Sequence, residues 1–360
     1  MSSVSQQSDW LVHPFNQPAL VKENQGRLVL SNGLIARSFV TAPNFATVDY
    51  INLVTGSTLL RGIKPEALIT IDGQQVEVAG LIGQPDYAYL DLDWLVDLKS
   101  NPEAFQFVRY SVSQIEALYP WLAKRYAPPT EYPPKGIRLS VDYVAPSAFE
   151  GLEISIHYDI YQGIPVLSKQ ISLKNWSERA LFIEGLVCEL IAVNEQEKHR
   201  LHVESDYAFS QMETTRWIPD EDYKTQIDYH YQMPLLMTST YPLGPGVKLQ
   251  PGDNFQSFRT FELLNDSDDR ERKGLAHRKM YRMVAPQVTE NPIFMHVRQS
   301  DPEAVRLAID QCAEVGFEMI IMTFGSGFNI ESEDPNYLSL IHISEPTRRT
   351  PISYAVFCLK

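Results

Sequence analysis

Apolar and polar residues alternate along much of this chain, with the period of strands. Residues 27–40, RLVLSNGLIARSFV, are two alternating runs around Ser-Asn-Gly, where glycine takes the positive φ that a tight hairpin requires. ALITI and QQVEV flank Asp72-Gly73 in the same way. From Gly136 the alternation is sustained through IRLSVDYV, LEISIHYDIY, PVLSKQISLKN and LFIEGLVCELIAV, separated by breaks rich in Pro, Gly or Asn. One apolar face repeating every second residue predicts antiparallel sheets packed face to face, and so many strands predict a large β-sandwich.

Two stretches interrupt this pattern. Residues 89–126 carry many aromatics and a helix-like patch, NPEAFQFV, and lead into the proline-rich APPTEYPPKG, which cannot form a central strand. This stretch reads as an excursion over one face or edge of the sandwich. Residues 266–283, DSDDRERKGLAHRKMYRM, place acidic residues first and basic residues last, the order a helix dipole favours, with Gly274 as a weak point.

Beyond that connector the period changes. Residues 292–297 are a short apolar run suited to a buried parallel strand. Asp301-Pro302 then supplies an N-cap followed by proline at the first helical position. Val305, Ala308, Ile309 and Cys312 share one face at helical spacing, Gly316 provides the stop, and FEMIIM at 317–322 is the next buried strand. Strand, capped helix and strand make a βαβ unit. The fold class expected is therefore mainly β: a large antiparallel β-sandwich over 1–265, a helical connector over 266–290, and over 291–337 the first βαβ portion of a truncated (β/α)8 barrel. Residues 338–360 stand apart. From Ser339 the chain reads SLIHISEPTRRTPISYAVFCLK, which resembles a translated sequencing adapter, and a barrel needs roughly 250 residues where this chain ends at Lys360.

Composition narrows the chemistry. At 360 residues, 44% hydrophobic and 21% charged, the chain is long enough for two cores and is neither disordered nor membrane-spanning. Its net charge of −14 would be repelled by nucleic acid and anionic membrane surfaces. Cys188, Cys312 and Cys358 share no metal or redox spacing, so neither a zinc site nor a disulfide framework is implied. The amino terminus has no basic patch followed by an apolar stretch; cytoplasmic location is the default reading, with secretion or a periplasmic location open if the start is misassigned. The oligomeric state is not readable.

Candidate site residues fall in two places. The loop Thr323-Phe324-Gly325-Ser326-Gly327 follows the carboxyl end of a parallel strand, the face on which barrel sites are built; Thr323, Phe324 and Ser326 could contact a sugar, and the bland alternative is a plain βα turn. His296 and Arg298, at the end of the preceding strand, would face the same mouth or hydrogen-bond at the rim. Residues 212–232 set Trp217, Tyr223, Tyr229 and Tyr231 among Asp220, Glu221, Asp222 and Asp228, a mixture that suits pyranose recognition and equally suits an amphipathic strand pair with an acidic loop. Asp266 to Asp269 lack the glycine and distal glutamate of a calcium loop and read as a solvated helix start. No GxSxG, HExxH or Cys/His nucleophile pattern occurs.

Three segments carry a family resemblance: YDIYQGIPVLSKQISLKN at 158–175, GLAHRKMYRMVAPQVTENPI at 274–293 and DPEAVRLAIDQCAEVGFEMIIMTFGSGFNIE at 301–331. Over about 32–337 the chain resembles the α-galactosidase (melibiase) type of retaining glycoside hydrolase, in which a galactose-mutarotase-like sandwich precedes a (β/α)8 barrel. The resemblance implies an oligosaccharide or glycoside substrate and no organic cofactor, and the cysteine spacing and the Asp266–Asp269 run imply no metal. It also implies catalytic carboxylates on later barrel strands, so no catalytic residue is assigned in this chain. Better-known members carry an Asp-Asp-Gly-Trp motif after the second barrel strand; here that place reads Thr323-Phe324-Gly325-Ser326, so the sugar is not fixed. A non-catalytic carbohydrate-binding or structural sandwich, and a barrel enzyme of other chemistry, stay open as alternatives.

Overall fold

The computed structural model describes residues 9–322 apart from 25, 86, 88, 124–129, 208–212, 224–233, 290–292 and 300. Thr323, Phe324, Ser326 and the tail at 338–360 lie outside the described residues. The chain divides into two compact units, the first ending at Val284 and the second resuming at Ala285.

The first unit is built from three antiparallel sheets. One is a five-stranded meander of Leu20–Asn24, Arg27–Ser31, Ile35–Val40, Ala46–Asn52 and Ser57–Thr58. A seven-stranded sheet runs in the order Leu201–Ser205, Thr260–Leu264, Val166–Asn175, Leu152–Tyr161, Gly136–Val144 and Gln106–Gln114, with Asn254–Gln256 also on Val166–Asn175. The other seven-stranded sheet runs Thr215–Pro219, Leu235–Thr240, Leu181–Val193, Ala67–Ile71 and Gln74–Val78; Leu60–Gly62 and Val247–Leu249 also pair with its long central strand.

Both expected hairpins form. Asp72 and Gly73 have φ of 49° and 81°, the paired positive values of a type I′ turn, whose twist matches that of the flanking strands. At the other hairpin Asn32 is fully buried. Its side-chain amide donates to the carbonyls of Tyr161 and Ile164 at 2.6 and 2.7 Å, while its oxygen accepts from the Leu34 and Ile35 amides. The turn residue therefore fastens the meander to a neighbouring sheet. All three sheets feed one apolar core: Leu28, Phe39 and Tyr50 from the meander, Ile154, Ile156 and Leu173 from the second sheet, and Ile69, Ile183 and Leu186 from the third.

The helix-like patch at 101–108 is corrected by the structure. Asn101 accepts from the Glu103 amide, and the Gln106 side chain donates back to the Asn101 and Ala104 carbonyls, which closes a turn. From Gln106 the chain is strand, registered against Gly136–Val144. Tertiary pairing overrides the helical propensity of Pro-Glu-Ala, and the excursion becomes the edge strand of its sheet.

Helix α1, Arg270–Val284, closes the first unit with Ala276, Met280 and Val284 buried. The Asp269 carboxylate accepts from the Arg272 amide at 2.7 Å, satisfying a donor that the helix start leaves unpaired. Asp266 accepts from Arg272 and from the indole of Trp10, a residue only 2% exposed, and Asp268 pairs with Arg200. The aspartates at this helix start are thus engaged with cations and an indole.

In the second unit, Phe294–Val297 and Met319–Met322 pair in parallel across helix α2, Pro302–Val315. Asp301 accepts from the Ala304 amide at 2.9 Å, Pro302 opens the helix, and Gly316 ends it at φ 81°. Ala308 and Cys312 pack with Val297 and Ile320. No helix among the described residues is long and apolar enough to cross a membrane.

Candidate functional site

Trp217 lies on the edge strand Thr215–Pro219, opposite Met237. Strand alternation turns its ring toward the core of the first unit, where it is half-buried, and the Lys198 ammonium sits 5.3 Å from the ring centroid. The strand runs directly into Asp220, which is 2% exposed. Lys64 donates to Asp220 at 2.6 Å and to Asp222 at 2.7 Å, Arg61 also pairs with Asp220, and the Arg61 guanidinium lies 5.8 Å from the Tyr223 ring. Burial opposes the charge on Asp220, but hydrogen bonds from Lys64 and Arg61 outweigh it and hold the carboxyl below its ordinary range. A carboxylate held by two cations is a poor proton donor. Asp220 organises Arg61 and Lys64, and the buried Arg61 Nε has no hydrogen-bond partner among the described residues.

The second charged constellation lies in the core where the three sheets meet. Arg37 from the meander reaches Glu189 of Leu181–Val193 at 2.9 Å and Glu66 at 3.3 Å; Lys169 of Val166–Asn175 reaches Glu189 at 2.8 Å. Tyr158 donates to Glu66, and Thr47 supplies a hydroxyl to the Arg37 Nε and its own amide to Glu66. Burial works against charge on Glu189, yet Arg37 and Lys169 hold it below the carboxylate range. Glu262, 3.7 Å from Arg37, goes the other way: burial and then the neighbouring Glu189 push it well above that range. This network ties sheets together rather than opening to a ligand.

Three further donor atoms converge between Leu201–Ser205 and helix α1. The Nε2 atoms of His202 and His277 are 3.0 Å apart and lie 3.0 and 3.1 Å from Glu204 Oε1.

Of the residues singled out in the sequence, His296 and Arg298 are exposed, at the end of Phe294–Val297 and just past it, with His296 opposite Ile321. Tyr229, Tyr231 and Asp228 lie outside the described residues. Cys188 and Cys312 are free and buried, and burial raises both thiols. Sequence reasoning passed over the core network and the histidine cluster. The signal for the first was a lone charge inside each apolar run, Arg37 in LIARSFV, Glu189 in VCELIAV and Glu262 in TFELL; for the second it was His-x-Glu on a strand.

No protein-family model and no curated protein matches the chain. Among solved structures, the chain is similar to the GH36 α-galactosidase AgaB of Geobacillus stearothermophilus, with TM-score 0.45 and 11% identity over 85% of this chain and 50% of that one. It is also similar to a variant of the GH36 α-galactosidase AgaA from the same organism in complex with stachyose, with TM-score 0.40 and 10% identity over 83% and 50%. A candidate aldose 1-epimerase from Klebsiella pneumoniae follows, with TM-score 0.32 and 9% identity over 74% and 86%. The chain spans about half the length of these α-galactosidase structures.

Proposed function

We propose that the chain is the sandwich-bearing part of a retaining glycoside hydrolase that acts on terminal α-linked galactose or a related sugar. The observation that carries this reading is the order of elements: an antiparallel sandwich, a helix, and then a capped βαβ unit with a parallel strand pair. The family resemblance of residues 158–175, 274–293 and 301–331 supports it. In this reading 1–265 is the sandwich domain, 266–290 a connector and 291–337 the opening of a (β/α)8 barrel, while 338–360 is foreign to the fold.

Hydrolysis with retention needs one carboxylate as nucleophile and a second as acid and then base, about 5 to 5.5 Å apart. By the resemblance both belong to later barrel strands. Thr323, Phe324 and Ser326, with His296 and Arg298, then line the sugar-facing mouth at the carboxyl ends of the first two strands, and no organic cofactor takes part. The test is hydrolysis of an aryl α-galactoside by residues 1–360 and by the chain continued through a complete barrel. Turnover is expected only from the second.

A second reading, a carbohydrate-binding or structural sandwich, is favoured by the group around Asp220, where Arg61, Lys64 and Tyr223 bring donors and an aromatic ring together. Binding of raffinose by residues 1–360 that Lys64→Ala abolishes would support it.

A further inference from the structure

We propose that His202, Glu204 and His277 form a binding site for a divalent transition-metal ion of the zinc class, which clips helix α1 to the edge strand Leu201–Ser205. Residues 202 and 204 are two apart on a strand, so both side chains leave the same face. That strand is the outermost of its sheet, and α1 brings His277 to it from 73 residues away in the chain.

The three donor atoms form a nearly equilateral triangle with edges of 3.0, 3.0 and 3.1 Å. Hydrogen bonds alone cannot satisfy it. Each Nε2 carries at most one proton and the ionised carboxylate carries none, so at most two protons serve three edges. If both imidazoles donate to Glu204, two N–H groups confront each other; if one donates to the other, a bare nitrogen faces a bare oxygen. A cation above the triangle meets all three lone pairs at once. Zinc bonds of 2.0–2.1 Å imply a tetrahedral edge of about 3.3 Å, so the triangle needs to widen only by a few tenths of an ångström.

The surroundings suit a metal. Two imidazoles and a carboxylate are a zinc donor set, and a tetrahedral ion held by three protein groups keeps a fourth position. The side chains are 37%, 25% and 34% exposed, so water can reach that position. Tyr281, one turn after His277, packs against its ring at 4.9 Å and steadies that imidazole from outside.

The test uses the full chain stripped with EDTA and titrated with Co2+, which reports tetrahedral nitrogen and oxygen ligation by visible absorption. One equivalent should develop the band and Zn2+ should abolish it. His277→Ala and His202→Ala should remove it, and His199→Ala and His296→Ala should leave it intact. Zn2+ should also raise the thermal midpoint of the parent but not of His277→Ala. Glu204→Gln, which keeps the side-chain shape, decides the matter if a histidine variant loses its native circular dichroism. No band in the folded parent, or a band that survives both His277→Ala and Glu204→Gln, overturns the proposal.

Discussion

Arg37 and Glu189 stand 152 residues apart in the chain and meet at 2.9 Å, with neither side chain more than 2% exposed. A pair so buried adds little over apolar packing while intact, but removing one member strands a charge in the core. Arg37→Met is therefore expected to lower unfolding free energy by about 3 to 5 kcal/mol in urea denaturation. A loss below about 1 kcal/mol, the value of an exposed pair, would show that the network is not closed to water.

Glu262 sets a pH dependence of the opposite sense to most carboxylates. Its folded pKa is raised, so above the ordinary glutamate value of about 4.3 the unfolded chain releases a proton that the folded chain keeps. Stability should then fall with rising pH, by about 1.4 kcal/mol per unit until the folded pKa is reached. Glu262→Gln carries no such proton, so its stability relative to the parent should climb as pH rises above the ordinary glutamate value. Parallel stability curves for the two proteins would contradict the assignment.

Asp220 behaves in the usual direction. Its lowered pKa means that its contribution is present above the unfolded value of about 3.9 and is lost as pH falls through the folded value. Asp220→Asn should destabilise the protein at pH 7 and have a smaller effect at pH 3, measured by thermal unfolding at each pH.

The helix cap at Asp301 is a local test of the second unit. Asp301→Ala removes the bond to the Ala304 amide and should cost about 1 kcal/mol, read as faster hydrogen exchange across Pro302–Val315.

Features encoded within a few residues were the ones legible from sequence. Asp72-Gly73, the alternation from Gly136 to Val193, and Asp301-Pro302 with Gly316 each specify a turn, a strand face or a cap locally, and each is found in the structure. Gln106–Gln114 was missed because an edge strand exposed along much of its length carries little alternation. Arg37, Lys169 and Glu189, like His202 and His277, were illegible as clusters because strand pairing and helix packing, not sequence spacing, bring them together. The loop at Thr323 to Ser326, read as a sugar contact from its place after a parallel strand, lies outside the described residues.

The measurement that bears most directly on the proposed function is release of aryl alcohol from an aryl α-galactoside, followed in parallel for residues 1–360 and for the same chain continued through a complete (β/α)8 barrel. The account predicts no turnover by the first, and turnover by the second that is lost when a carboxylate on a later barrel strand is replaced. Turnover by residues 1–360 that disappears when Asp or Glu residues of the sandwich are replaced would contradict it.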